Sequence, residues 1–125
     1  MIAKVRKLVR KIVVLQQQHF IVVVQLATTV REEDPELADR WIVLHRLDYI
    51  DRAGKEPPHL LPFELWGRAA EMLCQHPRYG YAAGWAWKWW QQADALKSEA
   101  IAQLAGNSKK LWALMNAEMA RQRGD

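Results

Sequence analysis

The chain has 125 residues, half of them hydrophobic and 26% charged, a composition that folds into one globular domain and excludes disordered, collagen-like and low-complexity classes. Its single cysteine, Cys74, excludes an internal disulfide and fits a reducing, cytoplasmic setting. The net charge of +4 is spread unevenly: residues 1–11 hold five bases and no acid, residues 31–56 eight acids against five bases, and residues 108–125 four bases against two acids. Basic ends around an acidic middle suit an anionic partner at the termini, and equally suit copies that stack basic end against acidic middle.

The first element carries Val5, Leu8, Ile12, Leu15, His19, Val22 and Leu26 in a strict three-four alternation. That spacing predicts one helical seam of about 27 residues. Seven of the residues from Ile12 to Val24 are valine or isoleucine, which pulls toward a strand. A register held for over three heptads decides for a helix. The apolar run from Ile12 to Val30 is broken by Gln16, Gln17, Gln18, His19 and Gln25, so neither a membrane span nor a signal peptide is expected, and residues 1–31 belong to the mature fold.

A second helix follows, with Asp34 as its cap, Pro35 in its first turn and Glu36 at the positive end of its dipole. Leu37, Trp41, Leu44 and Leu47 line its buried face, Gly54 stops it, and the prolines at 57 and 58 mark a loop. A third helix runs from near Pro62 to before Pro77, with Leu65, Ala69, Met72 and Leu73 as its apolar stripe, and residues 76–80 form a turn. The fourth segment packs Tyr81, Trp85, Trp87, Trp89 and Trp90 into ten residues. An unbroken helix there would put Lys97 inside an apolar face, which predicts a break at residues 95–98, with Ser98 capping a new short helix. Gly106 ends that helix, and a last one runs from about Ser108 to Arg121.

Three constellations carry functional information. The run Ile101-Ala102-Gln103-Leu104-Ala105-Gly106-Asn107-Ser108, followed by Lys109 and Lys110, resembles the helix-turn-helix of lactose-repressor-type DNA-binding domains over residues 98–121. The resemblance implies close helix crossing at Ala102, a tight turn at Gly106 and a cap at Ser108. It also implies Lys109 and Lys110 near DNA, with Trp112 and Met115 in the core. Asn107 stands where that motif has a buried apolar residue, and Leu111 and Leu114 where groove-facing polar side chains are usual. The alternative is an ordinary helical hairpin. In the tryptophan cluster, Trp85 and Trp89 are read as core, while Trp87, off the apolar face, and Lys88 are read as an interface pair that stacks bases or docks protein. In the basic arm, Lys4, Arg6, Lys7, Arg10 and Lys11 make a stripe able to neutralise phosphates or to attract an anionic membrane surface, or else a solvated helix face.

Signals for catalysis are weak. His45, Asp48 and Asp51 lie close, Glu64 and Glu71 lie two turns apart, and Cys74 and His76 face different ways, yet no metal-ligand pattern or nucleotide-binding fingerprint is present. The sequence therefore predicts an all-α, single-domain bundle of five or six helices, cytoplasmic, with no cofactor, metal, membrane or catalysis. Its expected partner is nucleic acid, DNA or RNA. The alternative is a helical interaction subunit of a larger, ribonucleoprotein-like assembly.

Overall fold

The computed structural model describes residues 2–41, 54 and 70–124. Among these the chain is helical with no strand, so the all-α class holds. Helix α1 spans Ile2–Glu33; among the described residues α2 covers 35–41 and α3 70–73; α4 spans Gly80–Gln103 and α5 Ser108–Gln122. The expectations for Leu44, Leu47, Pro62, Leu65 and Ala69, and for the acids and histidine at 45, 48, 51 and 64, lie outside the described residues. Two compact units result: Met1–Gln18 with Trp89–Asp125, and His19–Lys88. Their boundaries fall inside α1 and α4.

Helix α1 is unbroken through the β-branched stretch at 12–24. The seam explains this: Val5, Leu8, Ile12, His19 and Leu26 are buried and Leu15 and Val22 half-buried, and side-chain burial along one helical face outweighs the small intrinsic preference for strand. By length and composition α1 could cross a bilayer, with an 18-residue window of mean hydropathy 1.3, of which 33% is buried inside the protein. Asp34 caps α2 as expected, its Oδ1 accepting from the Leu37 amide at 3.1 Å. Gly54 adopts φ 68°, a left-handed conformation that glycine tolerates.

In the first unit, α1 lays Val5, Leu8, Val9, Ile12 and Val13 against Ala100 of α4 and Leu111 and Met115 of α5. Leu96, Leu104, Leu114 and Met119 flank this core. Each large apolar side chain so buried contributes about 1.5–3 kcal/mol.

In the second unit, Leu26 and Val30 of α1 pack with Ala38, Trp41, Leu73, Tyr79 and Ala83. His19 is fully buried, and its Nδ1 lies 2.7 Å from the Ala86 carbonyl oxygen. A carbonyl only accepts, so Nδ1 carries the proton there. The turn before α4 is built by His76, whose Nδ1 accepts from the amides of Arg78 and Tyr79 at 3.1 and 3.3 Å. The Tyr79 hydroxyl donates to Glu33 Oε2 at 3.0 Å, and Arg78 Nε pairs with the same oxygen at 2.8 Å. Burial first, and then the Glu33 carboxylate, push the Tyr79 hydroxyl above its ordinary pKa. Cys74 is half-buried, donates from Sγ to the Ala70 carbonyl at 3.2 Å, and is pushed up by burial and by Glu71. Met72, expected in the apolar stripe, is 38% exposed, because Ala70 and Leu73 take the inward positions of α3.

Gly80 allows a close backbone approach. A Cβ there would sit 2.5 Å from the Cys74 carbonyl oxygen, an atom of the main chain that cannot swing aside. Gly80→Ala should therefore cost about 1–3 kcal/mol, read as a lower urea midpoint with an unchanged slope.

Helix α4 departs from the sequence reading in two ways. It does not break at residues 95–98. Lys97 does fall on the inward side, but it is only half-buried, and its Nζ lies 5.4 Å from the centroid of the Trp112 ring, so a cation–π interaction satisfies the charge without ending the helix. The inward line is also set by alanines rather than by tryptophans. Ala83, Ala86, Ala93 and Ala100 are each at most 2% exposed and follow helical spacing. Trp85, expected in the core, is 42% exposed beside that line, with Lys88 Nζ 5.0 Å from its ring centroid. Trp89, also expected in the core, is half-buried. Trp87, expected to be the exposed one, is half-buried against Val23, Ala70 and Ala86.

Candidate nucleic-acid interface

The first unit gathers both basic stretches of the sequence. It carries ten lysines and arginines against four acids, a net +6, whereas the second unit carries a net −2. Lys4, Arg6, Lys7, Arg10 and Lys11 are all exposed on the first turns of α1. No acid sits in the first turn of α1, so these cations stand at the positive end of the helix dipole. That crowding opposes helix formation and raises the local positive potential. Lys109 and Lys110 are exposed at the start of α5 in the same unit.

Three hollows in this unit share the Arg6 side chain. The first, about 480 Å³, is lined by Val5, Arg6, Gln103, Leu104, Asn107, Lys110 and Leu114. The second, about 250 Å³, holds Arg6 and Arg10 opposite Leu114, Glu118 and Arg121. The third, about 620 Å³, runs along Ala3, Lys4, Arg6, Lys7 and Arg10. The arm and the start of α5 thus meet in one place: Arg6 and Lys110 line the same cleft.

Arg121 belongs to the scaffold. Its Nε and Nη2 donate to the two carboxylate oxygens of Glu118 at 3.0 and 2.6 Å. The Glu118 side chain is only 10% exposed, and Gln122, itself linked to Gln17 across to α1, donates to the same carboxylate. The Arg121 hydrogen bonds above all, helped by Gln122 and the charge of Arg10, hold the Glu118 carboxyl at about 2 against an ordinary 4.5. A depressed carboxyl pKa stabilises the fold above the unfolded-state value, and that contribution drains as pH falls toward the folded value. The stability gap between the protein and Glu118→Gln should accordingly be full at pH 6 and shrink from about pH 4.5 down to about pH 2, read by urea melts along that range.

The turn between α4 and α5 has the expected glycine geometry but a different cap. Gly106 adopts φ 82°, and Ala105 is also left-handed at φ 54°. The Gly106 amide closes the end of α4 onto the Ile101 carbonyl at 2.9 Å. Asn107, not Ser108, caps α5: its Oδ1 accepts from the Lys110 amide at 3.1 Å. Asparagine is as good a cap as serine, and the chain takes the residue one step earlier. Two further expectations, for Ala102 and for the pair Trp112 and Met115, are corrected or refined here. Ala102 is exposed and does not sit at a crossing. Met115 is buried, but Trp112, expected with it in the core, is 45% exposed under Lys97. Leu111 is 2% exposed, turned into the core rather than outward.

The feature missed by sequence reasoning is the cleft itself. Gln103, Leu104 and Leu114 carry no signature in a linear sequence; only the return of α5 against α1 brings them beside Arg6. Among the described residues, no three of His, Cys, Asp and Glu converge as a metal site would require. Compared with known proteins, the chain matches no family model, no curated protein and no solved structure.

Proposed function

We propose that the protein binds nucleic acid without catalysis, through the exposed cations of its first unit. The observation that carries this reading is the convergence of the basic arm and Lys110 around Arg6 in a unit of net +6. Interactions with phosphates of this kind supply most of the affinity of sequence-independent binding, typically in the micromolar range or weaker at physiological salt. Leu111 faces the core, which leaves base reading through α5 to fewer side chains and makes the nucleic-acid backbone the main source of affinity.

The test is a shift assay over a series of salt concentrations with duplex DNA, single-stranded DNA and RNA. Binding whose logarithm falls linearly with the logarithm of salt supports the proposal. No binding to any of the three overturns it, as does binding only to anionic vesicles, the outcome that the composition of α1 makes worth including.

A second reading rests on the other unit. Tyr81 at 83% exposure, Ile21 at 57%, Phe20 at 47% and Trp85 at 42% are large apolar side chains facing outward. Such residues are the usual anchors of protein interfaces. In this reading the chain is a helical subunit that docks on a protein partner, and it would show itself by partner co-purification from cells without nucleic-acid binding by the chain alone.

A further inference from the structure

We infer that the cleft between the start of α1 and the α4–α5 turn holds one unpaired nucleobase, so that the preferred ligand is single-stranded; this rests on the nucleic-acid reading above. Its volume of about 480 Å³ falls in the range of small-molecule sites. Its walls match the chemistry of a nucleotide part by part. Val5, Leu104 and Leu114 offer apolar surface to the flat faces of a base. The base edge needs donors and acceptors, and two carboxamides supply them. Gln103 is half-buried at the cleft, and among the described residues its carboxamide has no hydrogen-bond partner. Asn107 has its Oδ1 engaged by the Lys110 amide, which leaves its amide nitrogen to donate. Arg6 and Lys110 stand at the same cleft for the flanking phosphates, and among the described residues no carboxylate lines it.

A base in a duplex cannot enter, since its edge is paired and its faces are stacked; an unpaired base has both free. The groove along Lys4, Lys7 and Arg10 continues from the shared Arg6 and offers a path for the neighbouring backbone.

The experiment compares a single strand of about twelve nucleotides, carrying one 2-aminopurine, with the same sequence as a blunt duplex, on the full chain. Single-strand binding about tenfold tighter than duplex binding, with a change in 2-aminopurine fluorescence at saturation, is the expected result. Two variants locate the effect. Leu114→Trp fills the cleft, and Gln103→Ala removes the free carboxamide while leaving the core untouched. Both should erase the single-strand preference and the fluorescence change, while duplex binding and its salt slope stay as they were. Melting curves confirm that each variant folds, and Gln103→Ala keeps the test valid should the larger side chain disturb the core. Equal affinity for strand and duplex, or a preference unmoved in Gln103→Ala, overturns the cleft proposal and leaves the phosphate-binding reading standing. Failure to bind either nucleic acid overturns both.

Discussion

Leu111→Ala should lower the stability of the protein by about 2–5 kcal/mol, measured by urea unfolding. Leu111 is 2% exposed and shares its core with Val5, Leu8 and Ile12 of α1, Ala100 of α4 and Met115 of its own helix. Removing its isobutyl group leaves a cavity bounded by three helices of the first unit, with little freedom to collapse. Lys109→Glu combined with Lys110→Glu, just before it in the chain and exposed, should leave the melting temperature nearly unchanged. The contrast separates the two faces of α5: one holds the unit together, and the other is free to meet a ligand.

Changing Arg6, Lys7 and Arg10 together to alanine should reduce nucleic-acid affinity at least tenfold at low salt and flatten its salt dependence. The slope should fall by about 0.9 for each phosphate no longer neutralised on duplex DNA, and by about 0.7 on a single strand. Arg6 alone should account for the largest share, because it lines all three hollows, whereas Lys7 lines one of them. The fold should survive, because relief of the crowding at the positive end of α1, whose first turn holds no acid, offsets the lost attraction between Arg10 and Glu118. An unchanged slope in the triple variant would reduce the arm to a solvated face.

What the sequence disclosed and what it concealed divide along a physical line. The seam of α1, the Asp34 cap and the left-handed Gly106 depend on spacing and backbone chemistry within a few residues, and each was legible. The unbroken α4 was not. A lysine on an inward face reads as a break unless its partner is known, and the partner of Lys97 is Trp112 on another helix. The first half of the inward line of α4 was misread because bulky tryptophans carry more hydrophobic weight than alanines. Between closely packed helices, small side chains at Ala83 and Ala86 take the inward positions and leave Trp85 to the side. The basic arm and Lys109–Lys110 were both visible as charge, but the meeting of the arm with Lys110 at the Arg6 cleft follows from tertiary packing that no local pattern encodes.

The first unit is assembled from Met1–Gln18 and Trp89–Asp125, while His19–Lys88 supplies the second as one continuous stretch. This division has a consequence for the order of folding. The described pairings of α1 with α4 in the second unit close loops of up to 67 residues, as between His19 and Ala86, whereas the pairings of α1 with α5 close a loop of most of the chain. During synthesis the apolar line Val5, Leu8, Val9, Ile12 and Val13 therefore emerges long before Leu111 and Met115 exist to cover it. The lysines and arginines interleaved with that line repel one another, which disfavours self-association of the waiting segment.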